Sequence, residues 1–239
     1  MSTPRTVALI PHYRHHSTIS DVVAKLRDYG LHCLIVDDGS GAVSQETLTN
    51  LATQKGVSVL WREINGGKGA AVCDGLIWAN AQGYSHALQV DADGQHHLDD
   101  VPRLIKAAET APQALICARP IYNEDAPKSR LYGRKITNFW IWVNTGSRHI
   151  YDGMCGFRVY PLASAIALIQ NKYIGKRMDF DTEILVRLHW QGVEMVWIDS
   201  RVSYQPEGVS HFRLWRDNAL ISWMHTRLFF IGLWRRIWR

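Results

Sequence analysis

The chain has 239 residues and 27.3 kDa, the size of one large domain or of one domain with a small appendage. An apolar fraction of 46% supplies a sizeable core, and a charged fraction of 21% is ordinary, which argues against a disordered chain. The net charge of +5 is carried in one place: from His211 to Arg239 six arginines stand against a single acid, Asp217. Residues 1–210 are close to neutral, so a basic nucleic-acid-binding body is not expected. Four cysteines (Cys33, Cys73, Cys117, Cys155) form no CxxC pair and read as buried thiols of a reducing compartment. The N-terminus lacks the apolar stretch of a secretory signal, and no run of 18 apolar residues suggests a spanning helix. The expected location is cytoplasmic, peripheral to the membrane.

The first half alternates two periodicities. Thr6–Pro11 (TVALIP) reads as a buried strand, Ser17–Tyr29 as a helix closed by Gly30, and Cys33–Asp38 (CLIVDD) as a second strand stopped by Gly39-Ser40-Gly41. Ser44–Lys55 is helical, Val57–Trp61 a strand, Gly67–Ala81 a helix and His86–Asp91 a fourth strand. Asp99–Glu109 (helix) and Ala114–Ala118 (strand) follow. Such alternation predicts an α/β fold with a mostly parallel, helix-flanked sheet. Beyond Arg119 the rhythm breaks: a loop over Pro120–Pro127, helices over Lys128–Val143, Pro161–Gln170 and Asp179–Gln191, a strand over Val193–Asp199, and a helical tail from Leu214 to Arg239.

Two strand ends and one helix start carry chemistry. Val90-Asp91-Ala92-Asp93-Gly94-Gln95 brings a strand into two carboxylates, a glycine and an amide. In an open α/β sheet ligands bind beyond the carboxyl ends of strands, and Asp93 with Gln95 supplies hard oxygen ligands suited to Mg²⁺ or Mn²⁺ on a diphosphate. The plainer account is an Asp-rich turn before a helix. Val36-Asp37-Asp38-Gly39-Ser40 offers carboxylates to a nucleobase or ribose, or forms an ordinary Asx turn. Asn65-Gly66-Gly67-Lys68-Gly69 lets the backbone approach a ligand while Lys68 meets a phosphate; its spacing is neither that of a Walker A loop nor that of GxGxxG.

Taken in order, IPHY (Ile10–Tyr13), VDDGS (Val36–Ser40), NGGKGAA (Asn65–Ala71), VDADGQHHLDDVP (Val90–Pro102), DGMCGFRVY (Asp152–Tyr160), FDTEIL (Phe180–Leu185) and VSYQPEGVSHFR (Val202–Arg213) resemble the family-2 inverting glycosyltransferases. Within them the chain is similar to the polyprenyl-phosphate sugar synthase branch typified by dolichyl-phosphate mannose synthase. The resemblance implies a Rossmann-like GT-A fold over residues 1–213, with 214–239 as an amphipathic appendage. It implies a UDP- or GDP-sugar donor, a lipid-linked acceptor and displacement with inversion. It places Asp38, with Asp37 beside it, at the base or ribose, counts Pro11 and Tyr13 among the substrate-binding residues, and puts Asp91, with a catalytic part, at the sugar or ribose, Asp93 and Gln95 on the metal, and Arg119 at acceptor or donor phosphates. One departure stands out: the family reads P-x-Y-N-E, and here His15 occupies the place of the acid.

A hydroxyl acceptor needs a general base, whereas a phosphate acceptor arrives ionised. Asp152 and Glu183 are the candidate bases; Asp179, Asp181 and Glu183 equally suit a charged first helical turn. In the tail, Leu220, Trp223, Met224, Leu228, Ile231, Trp234 and Trp238 recur at helical spacing among arginines, so one face can pack on the body and another meet an anionic bilayer. A sugar nucleotidyltransferase would need a glycine-rich N-terminal loop that IPHYRHHS lacks, and intact Asp91, Asp93 and Gln95 argue against a non-catalytic binder.

Overall fold

The computed structural model describes residues 4–122, 128–202 and 213–238. Seven strands form one sheet in the order β3-β2-β1-β4-β6-β5-β7. These are β1 Thr6–His12, β2 His32–Asp38, β3 Val57–Arg62, β4 His86–Gln89, β5 Leu115–Ile121, β6 Arg158–Pro161 and β7 Met195–Arg201. The helices are α1 Ile19–Asp28, α2 Ala42–Ala52, α3 Lys68–Ala81, α4 Val101–Thr110, α5 Lys128–Thr145, α6 Leu162–Asn171, α7 Phe180–Trp190 and α8 Leu214–Ile237.

The apolar strands are buried on both faces because each face is covered by helices. Val7, Leu9, Leu34 and Val36 pack with α3, α6, α7 and α8, while Ala8, Ile10, Cys33 and Ile35 pack with α1, α2 and α4. On the first of these faces α3 comes unusually close: a Cβ on Gly75 would run into Leu9 and Val36. The chain runs β1, β2, β3 outward, then returns to place β4 on the other side of β1, all four being parallel. The gap between the carboxyl ends of β1 and β4 is therefore the point where the strand order reverses, where an open α/β sheet opens a crevice for ligand.

Two elements differ from the sequence expectation. β4 ends at Gln89, so Asp91 lies in the loop beyond the strand. β6 was not anticipated; four residues long and antiparallel, it wedges between β4 and β5 with Gln89 opposite Arg158. Its direction carries the preceding segment, residues 152–157, back to the strand ends where β1 and β4 terminate. The sheet is thus mixed, six strands running one way and β6 the other.

The tail helix α8 belongs to the body as much as to the surface. Met224 and Leu228 are fully buried in the same core as α3 and α7. Arg235 donates to the Trp190 carbonyl at 2.8 Å and Arg236 to the Val143 carbonyl at 3.1 Å, so two of the tail arginines satisfy carbonyls near the ends of α7 and α5. Outward, Trp223, Phe230, Trp234 and Ile237 remain 63–65% exposed. Among the described residues no helix is long and apolar enough to cross a membrane.

Candidate active site

A cavity of about 310 Å³ opens at the strand-order reversal. β1 contributes Pro11 and His12, and the turn after it contributes Tyr13 and His15. Between those last two, Arg14 has φ 59, the left-handed region that a non-glycine residue enters only when its surroundings hold it there. Its N–H donates to Ser40 Oγ at 3.0 Å, which ties this turn to the end of β2. His15, in place of the family's acid, therefore does reach the cavity wall.

The two aspartates at the end of β2 divide the work. Asp37 is buried behind the wall and accepts from Ser40 N–H at 3.1 Å, with His12 Nδ1 2.8 Å away. Burial pushes its carboxyl up, but the hydrogen bonds from His12 and Ser40 outweigh that and hold it below the usual range. Asp38 lines the cavity. Its two oxygens accept the backbone N–H groups of Gly66 and Gly67, each at 2.8 Å, and Arg62 Nε at 2.9 Å. The glycine-rich segment is thus folded onto Asp38. Gly67 has φ 100, and a Cβ there would strike the Lys176 carbonyl, so glycine is required.

That folding starts α3 at Lys68, whose ammonium lies 2.8 Å from Asp91 and 2.8 Å from Asp181 of α7. Burial works against the charge, yet the two carboxylates outweigh it and raise the lysine above its ordinary value. Asp91 is likewise held low: burial pushes it up, and Lys68, with His96 3.7 Å away, more than offsets this. Gln89 donates to Asp181 at 3.1 Å and accepts from Tyr160 at 3.2 Å, while Arg158, 1% exposed, donates to the Asp181 and Gly153 carbonyls at 2.6 and 3.0 Å. Gly156 passes so close that a Cβ would meet Gln89 Nε2 and Lys68 Nζ. Gln89, Arg158 and His96 are not singled out by the sequence, and Asp181 only as one acid of a charged first helical turn. FDTEIL and GFRVY held two of them, but a carboxylate in a first helical turn gives no sign of which distant cation it meets.

Asp93 and Gln95 both line the cavity. Asp93 Oδ1 accepts the Gln95 N–H at 3.0 Å, fixing the carboxylate in an Asx turn and leaving Oδ2 without a hydrogen bond among the described residues. No group of three or more His, Cys, Asp and Glu side chains converges as a metal cage among the described residues. One carboxylate and one amide oxygen fit Mg²⁺ or Mn²⁺, which bind through one or two carboxylates, substrate phosphates and water.

Besides Asp37, three expected residues lie off the cavity. Arg119 sits away from the cavity, its guanidinium paired with Asp199 of β7 at 2.5 and 2.7 Å. Asp152 does not line the cavity; it is paired with Arg134 and accepts the N–H groups of Met154 and Cys155 at 2.9 and 2.7 Å. Glu183 is fully buried, paired with Arg187 at 2.7 Å and with Arg227 of α8, and accepts the Gly175 N–H at 2.8 Å. These contacts give Asp152 and Glu183 structural tasks. Of VSYQPEGVSHFR, residues 203–212 lie outside the described residues; Arg213, with Arg177 and Arg216, lines the cavity.

A family model described as Glycosyl transferase family 2 matches residues 7–172. A polyprenol monophosphomannose synthase of Mycolicibacterium smegmatis is 31% identical over 167 residues, which cover 66% of this chain and 62% of that protein. The match therefore spans less than two thirds of that relative's length. A UDP-N-acetylglucosamine–dolichyl-phosphate N-acetylglucosaminyltransferase of Methanococcus voltae is 26% identical over 195 residues, 74% of this chain and 77% of that one. The solved structure of Mycobacterium tuberculosis glucosyl-3-phosphoglycerate synthase with Mn²⁺, uridine diphosphate and phosphoglyceric acid matches with a TM-score of 0.68 at 13% identity. That match covers 98% of this chain and 78% of that one, and the shared fold is the GT-A fold.

Lys68→Met removes the cation between two carboxylates, and at neutral pH it should cost roughly 3 kcal/mol in urea unfolding. Because Asp91 titrates lower in the folded than in the unfolded chain, the pair's contribution is present above about pH 4 and lost as pH falls toward about 2. The stability gap between wild type and variant should shrink over that window. A gap of equal size at pH 7 and pH 3 would contradict the pairing.

Proposed function

Since the chain belongs to glycosyl transferase family 2, we propose that it moves a sugar from a nucleoside-diphosphate donor to a lipid-linked acceptor, with a divalent cation on the diphosphate. The observation that carries the reading is the arrangement at one end of the sheet: Asp38, Lys68, Asp91, Asp93 and Gln95 line a single cavity at the strand-order reversal. Pro11, Tyr13 and Asp38 form the nucleoside end, Asp38 with lone-pair capacity beyond its three protein donors. Asp91, oriented by Lys68, faces the sugar or ribose, and Asp93 with Gln95 holds the cation. When bound, Mg²⁺ or Mn²⁺ offsets the charge that grows on the leaving diphosphate.

The acceptor oxygen attacks the anomeric carbon from the face opposite the diphosphate. The new carbon–oxygen bond forms as the bond to the diphosphate oxygen breaks, and that electron pair leaves with the nucleotide. The two candidate bases, Asp152 and Glu183, are consumed by arginines behind the wall. Asp91, which lines the cavity, is held ionised by Lys68 at the cost of basicity. A site without a well-placed base suits an acceptor that is already an anion, which favours a lipid phosphate over a lipid alcohol. The relatives named for polyprenol and dolichyl phosphate support the same choice.

The acceptor's lipid nature agrees with the exposed aromatic face of α8. Arg235 and Arg236 keep their charge but are tethered to backbone carbonyls, which limits their reach to head groups, so binding to a bilayer rests on Trp223, Phe230, Trp234 and Ile237 more than on these two arginines. Replacing Trp223, Phe230 and Trp234 by serine should abolish co-sedimentation with phosphatidylglycerol vesicles, whereas Arg235→Gln should change it little. The reverse ranking would return the attraction to charge.

A panel of UDP- and GDP-sugars tests the activity. One donor should be turned over with Mn²⁺ or Mg²⁺ and not with excess EDTA. Asp93→Asn should lower turnover by about 10²-fold or more, since the ion's effect on the leaving group is worth several kcal/mol. Its thermal unfolding should move little, because a surface carboxylate contributes little stability. Full turnover in EDTA or in the variant would defeat the metal role.

A further inference from the structure

The positive charges around the cavity are of two kinds. Lys68 is neutralised from within by Asp91 and Asp181. Arg177, Arg213 and Arg216 line the same cavity, and among the described residues none of their guanidinium groups has an ion-pair partner. Two of the three come from the first turn of α8, where Arg213 is the residue before the helix and Arg216 its third residue. Side chains three apart lie on one side of a helix turn. Asp217, the acid beside them, is 5% exposed and already taken: its Oδ2 accepts the Arg213 N–H at 2.6 Å. That bond ties Asp217, which also lines the cavity, to the residue before α8, and both arginines are exposed where they line the same cavity.

The rest of α8 says what reaches that mouth. Arg216, Trp223, Phe230 and Ile237 are each seven residues apart, which keeps them on one helix face with a drift of about 20° per step. Of these, Trp223 is 64% exposed, Phe230 63% and Ile237 65%. A single stripe therefore starts as cations at the cavity and continues as exposed aromatic and aliphatic side chains for roughly 30 Å, at about 1.5 Å per residue. An amphiphile with an anionic head and a long apolar chain matches this surface along its whole length. A nucleotide matches only the first turn.

We propose that Arg213 and Arg216 form the head-group subsite of the acceptor: they hold the phosphate of a prenyl-type lipid phosphate at the cavity mouth, and its chain leaves along the outer face of α8. This rests on the glycosyl-transfer reading above and assigns the acceptor's anchor within it. Two planar guanidinium forks suit a phosphate monoester, since each can give two parallel hydrogen bonds and stays charged at any working pH. The subsite also couples membrane contact to chemistry, because the helix that meets the bilayer is the one that presents the head group.

The test uses the full chain, with farnesyl phosphate as the charged probe and farnesol as its neutral counterpart, in matched detergent micelles. The variant is Arg213→Gln with Arg216→Gln; both positions are exposed, so the fold should tolerate it, and a thermal melt checks this. Affinity for farnesyl phosphate should fall roughly 10- to 100-fold, the loss of two charge-assisted contacts. Farnesol binding should stay unchanged, and so should nucleoside-diphosphate affinity measured with Mn²⁺. An unchanged affinity for farnesyl phosphate overturns the proposal. So does a fall in nucleotide affinity of the same size, which would give the arginines to the donor. Failure of the wild-type chain to bind any nucleoside diphosphate would count against the transfer reading, while the farnesyl phosphate comparison would still decide the subsite on its own.

Discussion

One ammonium group organises the functional end of this molecule. Lys68 stands at the start of α3, and its two carboxylate partners come from the loop after β4 and the first turn of α7. A cation with one partner in such a place would leave the other carboxylate uncompensated, at a cost of several kcal/mol. With both present, three segments far apart in sequence are pinned at one point. Lys68 and Asp91 line the cavity at that point, and the glycine-rich segment that starts α3 is folded onto Asp38, which lines it too.

Other features follow from the need to support this junction. Asp181 can face Lys68 because Gln89 donates to its side chain and Arg158 to its carbonyl. Arg158 can lie there because β6 runs antiparallel and delivers its first residue to the strand ends. Behind α7, Glu183 gathers Arg187, Arg227 and the Gly175 N–H. The segment after Gly175 then meets the glycine-rich loop, where Lys176 accepts the Ala70 N–H at 2.9 Å. A continuous set of polar contacts thus links α8, through Arg227 and Glu183, to the wall that carries Arg177. Glu183, one of the two candidate bases, is the carboxylate that ties α8 into this assembly.

The fold was largely legible in the sequence because the parallel strands are short apolar runs that alternate with segments of helical periodicity. β6 was not, because four residues following Gly156-Phe157 carry too little pattern to be separated from a loop. The strand-end residues were legible as well: Asp38, Lys68, Asp91, Asp93 and Gln95 do share one cavity. The partners were not. Asp152 and Glu183 look like free acids until Arg134, Arg187 and Arg227 are seen beside them, and Arg119 looks like a phosphate ligand until Asp199 is found across the β5–β7 pair. Pairing across many residues in sequence leaves no local trace. The tail arginines show the same limit: the charge is plain in the sequence, but not that the carbonyls of Trp190 and Val143 already occupy two of them.

The central claim is that the loop after β4 seats a divalent cation on a diphosphate, beside the Lys68 junction. Anomalous diffraction from crystals grown with Mn²⁺ and the nucleoside diphosphate that binds tests it most directly. The account predicts one strong peak within coordination distance of an Asp93 carboxylate oxygen and the Gln95 amide oxygen, next to the diphosphate. A diphosphate bound in the cavity with no cation at Asp93, or a manganese peak held by other residues, would contradict it.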